Sequence, residues 1–241
     1  MILLAHRGNV SGVDIRNENS TSAVAVSLSN GFGVETDVRR TPDGFVYISH
    51  DPTAACGDNN ADVHAMLWAH YPESEIALNV KELGYEERLI DFIRQHQLQS
   101  RLFLFDFELL ENEPGSTAAK IHALDPEIRL AARVSDRYGE SIQQAASITV
   151  ASIIWLDEFD SLWVKANDIA KLKALGRTIY AISPEIHGFS MAETETRWKQ
   201  FQDWGVDGIC TDYPVRAREV LGSGKLRAEG WERGVESKAN R

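Results

Sequence analysis

Cysteine is almost missing from this chain. Its 241 residues contain two, Cys56 and Cys210, too few and too differently set for a disulfide framework or a cysteine metal site. Long apolar runs are missing too. Nothing approaches the ~20 residues a membrane helix needs, and Ile2 to Ala5 is too short, with no basic stretch before it, to read as a cleavable leader. Basic residues are scarce: 25 Lys and Arg stand against 36 Asp and Glu, a net charge of −11. That balance excludes the broad basic face of a nucleic-acid binder. Internal repeats and low-complexity linkers are not found either. These absences predict a cytoplasmic protein with no nucleic-acid partner and no stable membrane insertion, and they leave its oligomeric state open.

What is present is an alternation of apolar, strand-like runs with helical patterns. Strands are expected at 2–5, 33–38 (extended or paired by 46–49 across the Pro42-Asp43-Gly44 turn), 76–80, 101–105, 129–133, 152–155, 178–182 and 208–211. Helical spacing lies between them, at 20–30, 85–96, 116–124, 139–146, 167–175, 191–204 and 214–221. Eight strands separated by helices imply a parallel sheet, which right-handed crossovers close into a (β/α)₈ TIM barrel. Dividing 241 residues among eight units leaves about 30 for each, so residues 1–221 are expected to form one compact domain. Residues 222–241 are rich in Gly, Ser and charge, with Trp231 as the one large aromatic, and read as a mobile polar tail.

Chemistry concentrates in the first 52 residues: Ala5-His6-Arg7-Gly8, Glu35-Thr36-Asp37 and His50-Asp51-Pro52 each follow or end an apolar run. In a parallel barrel, strand ends of this kind carry the reactive groups. Glu35 and Asp37, two apart on a strand, share a face and suit two oxygen ligands on one Mg²⁺ or Ca²⁺. The blander account is a solvated acidic strand end. Two histidines can supply an acid and a base near neutral pH. Arg7 suits bidentate recognition of phosphate, or else a salt bridge to Glu18. His64, His70, His96 and His122 lie on helices or loops without converging partners and take a structural role by default. Together the cluster is an inventory for metal-assisted cleavage of a phosphate ester.

Taken in order, Ala5-His6-Arg7-Gly8, Glu18-Asn19-Ser20, Gly31-Phe-Gly-Val-Glu35-Thr-Asp37-Val-Arg39, Thr41-Pro-Asp-Gly44 and His50-Asp51-Pro52-Thr53 resemble the glycerophosphodiester phosphodiesterase family, within the phosphatidylinositol-phospholipase-C-like superfamily. The likeness resumes at Gly205-Val-Asp-Gly-Ile-Cys-Thr211-Asp212-Tyr213-Pro214. It implies a TIM barrel, one divalent cation, and a small-molecule or polymeric phosphodiester substrate. It places His6 and His50 on the acid–base pair, Arg7 and Lys81 on the phosphate, and Glu35 and Asp37 on the metal. Asn19 is expected to cap the helix that starts near Ser20.

Three departures mark a divergent member. The family's third-strand Glu-x-Lys, which completes the metal site, is Asn79-Val80-Lys81 here. An Asn carbonyl still ligates a hard cation but adds no charge. Asp106, ending the fourth strand, is the candidate to supply that charge, or else only orients Lys81. The Ser183-Pro184-Glu185-Ile186-His187-Gly188 loop is atypical, and Glu185 and His187 are candidates to read hydroxyls of a polyol or sugar, or else form a loop salt bridge. The segment 51–72 reads as slight and polar, which would leave the mouth open to a bulky substrate. Alternatives to hydrolysis are a lyase forming a cyclic phosphate and a catalytically impaired barrel that only binds phosphate ligands.

Overall fold

The computed structural model describes residues 1–53, 59–137 and 139–222. The expected tail beyond Gly222, Trp231 within it, and Cys56 lie outside the described residues. Nine strands form one sheet: β1 Ile2–His6, β2 Gly33–Arg40, β3 Val46–Ile48, β4 Ile76–Val80, β5 Leu102–Phe105, β6 Arg129–Val134, β7 Ile153–Leu156, β8 Thr178–Ile182 and β9 Gly208–Thr211. Eight are parallel, and pairing of β1 with both β9 and β2 closes the barrel. β3 is a short antiparallel hairpin partner of β2 beyond the barrel wall. The helices are α1 Thr21–Ser29, α2 Ala61–His70, α3 Glu86–Gln95, α4 Ser116–Leu124, α5 Ile142–Ser147, α6 Ala166–Lys173, α7 Met191–Trp204 and α8 Pro214–Leu221. Among the described residues, no helix is long and apolar enough to cross a membrane.

Alternation along each strand divides the core in two. Leu102, Leu104, Ile154, Leu156, Ile179 and Ile209 face outward into a shell packed under the helices. Leu4, Phe103, Phe105, Ile153, Trp155, Tyr180 and Cys210 face inward and fill the barrel. The filling is aromatic and lopsided. Phe105 lies 4.0 Å from Trp155 and Phe103 stacks 5.1 Å from Tyr180, so β5, β7 and β8 occupy most of the interior. Gly208, in register with Tyr180, makes room for that ring, because a Cβ there would meet its Cδ1 at 2.4 Å. The inward positions next to β1, β2 and β4 are left for polar groups.

The sequence reading gave no helix within 51–72, yet α2 stands there, outside the β2–β3 hairpin. Its buried residues are Ala61, His64, Ala65 and Trp68, while Val63 and Met66 face solvent. An inward histidine and outward apolar residues blur the helical period. The segment is thus mostly barrel scaffold, which corrects its description as a slight polar loop.

Candidate active site

The C-terminal ends of β1, β2 and β4 bring the predicted residues together. His6 and Glu35 are register partners across β1 and β2, and Asp37 and Asn79 are partners across β2 and β4. Leu4 and Ala77 face the interior, so His6, Asn79 and Lys81, at steps of two along the same strands, share that face. Glu35 and Asp37 are both almost wholly buried.

Tight turns hold the groups around them. Arg7 takes a left-handed backbone (φ 52°), which turns its N–H onto Glu35 Oε2 at 3.1 Å. Its guanidinium lies between Glu18 (Nη1 to Oε2, 2.9 Å) and Asp37 (Nε to Oδ2, 3.4 Å). Lys81 Nζ approaches the other oxygen of Asp37 at 3.4 Å. The alternative reading of Arg7, a pair with Glu18, is formed, and the same guanidinium also lies beside Asp37.

Asn19 does not cap the first helix. Ser20 does, accepting from Ala23 N–H. Asn19 is itself left-handed (φ 59°), and its amide grips Asp37 twice: Nδ2 donates to Oδ2 at 2.8 Å, and Asp37 N–H donates to Oδ1 at 3.1 Å. His64, given only a default structural role from sequence, supports that grip, with Nε2 3.0 Å from the Asn19 carbonyl. Burial holds its basicity below the usual histidine range.

The two candidate catalytic histidines differ. Burial disfavours the charged form of His6, but a 2.8 Å hydrogen bond from Nδ1 to Asp212 and the charge of Glu35 outweigh it, leaving its pKa raised. His50 is half exposed, with Nδ1 3.0 Å from Asp51; partial burial and then the positive charge of Arg7 lower its pKa. Burial, then Asp37, pushes the Glu35 carboxyl up to about 7. Asp212, in the motif that follows the last strand, is a further candidate functional residue to which the sequence alone assigns no role. It accepts from both His6 and Asn9, and Glu185 caps its backbone N–H at 3.1 Å. A polar residue just past the last apolar strand was the available signal.

Glu185 faces inward: its oxygens accept from Ser183, Thr211 and the Asp212 backbone, so it braces the strand end and does not offer an oxygen to the groove. Asp106 is likewise engaged. It ends β5 in a left-handed turn (φ 72°) and pairs with Arg133, which also meets Glu140 and Asp157. Among the described residues, no third His, Cys, Asp or Glu joins Glu35 and Asp37 as a ligand set. Asp106 is thus not grouped with that pair, whereas Asn79 is in register with Asp37. Asn79 Oδ1 is buried and makes no hydrogen bond, an acceptor left open beside the carboxylate pair. Two carboxylates and one free carbonyl are the donors that a hard divalent cation takes. His187 forms the loop pair named as its alternative reading, Nε2 to Asp157 at 2.6 Å.

His6, Arg7, Asn19, His50 and Asp212 line one open groove of about 740 Å³, rimmed by Val13, Ile15 and Ile186. A second groove of about 750 Å³, between the β2–β3 turn and α3, contains neither histidine nor the carboxylate pair.

Solved structures match this architecture. A glycerophosphodiester phosphodiesterase from Parabacteroides distasonis superposes with a TM-score of 0.70 at 16% identity, over 92% of this chain and 97% of that one. A glycerophosphoryl diester phosphodiesterase from the same organism gives 0.69 at 19%, over 95% and 89%. The glycerophosphodiester phosphodiesterase of Agrobacterium tumefaciens gives 0.64 at 18%, over 92% and 99%. This chain has their fold. No protein-family model matches it, and no curated protein does.

Proposed function

We propose that this protein is a metal-dependent phosphodiesterase acting on glycerophosphodiesters or related polyol phosphodiesters. The carrying observation is convergence. Four segments of the chain deliver two histidines, two buried carboxylates, an unpartnered amide oxygen and two cations to one end of the barrel. The fold shared with solved glycerophosphodiester phosphodiesterases supports the reading.

Glu35, Asp37 and Asn79 would hold one divalent cation, Mg²⁺ or Ca²⁺. When bound, it supplies positive charge for the phosphoryl oxygens and favours the ionised form of both carboxylates. Arg7 and Lys81 are placed to meet the phosphate anion and steady charge that develops on it. His50, held below the usual histidine range, is suited to take a proton from the attacking hydroxyl, of water or of the substrate. His6, backed by Asp212, is suited to keep a proton and deliver it to the leaving alkoxide.

The test is cleavage of bis-p-nitrophenyl phosphate with Mg²⁺, with Ca²⁺ and with chelator. Chelation, His6→Ala and His50→Ala should each lower turnover by at least 100-fold, given the usual contribution of general acid–base groups. Turnover indifferent to all three refutes the reading. Phosphorus NMR of the products formed from glycerophosphoinositol, whose alcohols carry hydroxyls beside the ester, separates hydrolysis from cyclisation.

A further inference from the structure

Opposite the carboxylate pair, a second polar chain crosses the barrel mouth, and the reaction above does not use it. We propose that His187 is a specificity-determining residue that forms a hydrogen bond with a hydroxyl of the substrate's alcohol, selecting diesters of polyols or sugars. This rests on the phosphodiesterase reading and adds to it the chemistry of the alcohol.

Trp155 fills the barrel interior, so Asp157, two residues on, aims into the mouth. Asp157 is held from both sides: Arg133 Nη2 donates to Oδ2 at 2.5 Å, and His187 Nε2 donates to Oδ1 at 2.6 Å. Arg133 is itself fixed by Asp106 and Glu140. The imidazole also lies against the Phe159 ring, centroids 4.3 Å apart, and Arg133 packs over that ring at 5.0 Å. His187 is thus immobilised by one hydrogen bond and one ring contact before any ligand arrives.

Its nitrogens are then unequal. With Nε2 committed to the carboxylate, Nδ1 is the nitrogen left for a ligand. It makes no hydrogen bond with any described residue. A hydroxyl both donates and accepts, so it can pair with Nδ1 whichever proton the ring carries, while the phosphate goes to Arg7 and Lys81. Position agrees. His187 closes the turn Pro184–His187, whose Ile186 rims the same groove as His6 and His50. The same turn is tied through Glu185 to Asp212, the partner of His6. A loop latch alone would not require a fixed imidazole with one nitrogen left unpaired.

The experiment compares glycerophosphoinositol, rich in hydroxyls, with bis-p-nitrophenyl phosphate, which has none, on wild type, His187→Ala and His187→Gln. For His187→Ala, the ratio of kcat/KM for the polyol diester to that for the aryl diester should fall about threefold to tenfold, through KM, the worth of one neutral hydrogen bond. His187→Gln keeps an acceptor oxygen and should recover part of the ratio. A ratio unchanged in His187→Ala, or a loss that lies in kcat alone, overturns the proposal. So does a wild type that cleaves the aryl diester and not the polyol diester. A wild type that cleaves neither overturns the phosphodiesterase reading instead, and this proposal with it. Thermal melts of both variants exclude misfolding as the source of any loss.

Discussion

Asp212→Asn separates the charge behind His6 from its geometry. In the wild type, one carboxylate oxygen of Asp212 accepts from His6 Nδ1 at 2.8 Å and from Asn9 Nδ2 at 2.9 Å. An asparagine oxygen can accept both bonds, so the ring keeps its orientation while its anionic partner is lost. A hydrogen bond to a charged group contributes about 1.5–3 kcal/mol and a neutral one about 0.5–1.5. The difference of about 1–1.5 kcal/mol predicts a roughly fivefold to fifteenfold fall in kcat at the optimum. Asp212→Ala removes the whole bond and should cost about 10- to 150-fold. The sign of the pH effect follows from the same balance. Burial lowers the pKa of His6, but Asp212 and Glu35 raise it further, to a net elevation. If His6 is the acid, its protonated form is active and sets the alkaline limb of the profile. Removing the charge of Asp212 must move that limb to lower pH. The assay is kcat against pH on glycerophosphoinositol, whose alkoxide leaving group needs the proton, in saturating cation. A folded Asp212→Asn enzyme with an unmoved limb, or one displaced to higher pH, refutes the assignment of His6 as the acid.

Asn79→Asp adds a charge of the same size opposite Asp37. It should lower the melting temperature without cation, where three carboxylates repel, and enlarge the gain on adding Mg²⁺ beyond the wild-type gain, as read by thermal melts. Asn19→Ala removes both contacts of the grip on Asp37 and leaves a buried N–H unpaired, a cost of about 1–3 kcal/mol. Cation affinity by calorimetry should fall with it. Gly208→Ala would drive a Cβ to 2.4 Å from the Tyr180 ring. Overpacking of this kind costs roughly 1–3 kcal/mol, visible as a lower urea midpoint at unchanged slope.

The strands were legible because a barrel strand is buried on both faces and reads as a short continuous apolar run, as in Leu102-Phe-Leu-Phe105. Helices α4, α7 and α8 were legible at both ends, helped by Ser190 and Pro214 at their starts. Helix α2 was not, because His64 points inward and Met66 outward. The cluster of His6, Arg7, Glu35, Asp37 and His50 could be found because each residue abuts a strand. Its supports could not. Asn19 and Asp212 act through partners 18 and 206 positions away, Asp37 and His6, and no local pattern announces such pairs. The partners of Glu185 and Asp106 were hidden for the same reason. The places of these two acids in the chain suited ligands, but Thr211 and Arg133, distant in sequence, had already claimed their oxygens.

The replacement at position 79 changes how cation and substrate depend on each other in the proposed site. Both oxygens of Asp37 already face protein cations, Oδ2 with Arg7 and Oδ1 with Lys81, each at 3.4 Å. In the proposed site a divalent ion at Asp37 would compete with both for the carboxylate, and Asn79 would add no charge to help it. A guanidinium or ammonium so displaced is not lost to the site. It is left beside the bound ion, where like charges repel, unless a phosphodiester anion arrives to receive it. Ion and anion therefore each supply what the other's binding lacks, and their affinities should rise together by a reciprocal factor. A fully acidic site would hold its metal before substrate came. In the proposed reaction Arg7 and Lys81 would pass from Asp37 to the phosphate as the cation is taken up, which would let a chain of net charge −11 accommodate an anionic substrate.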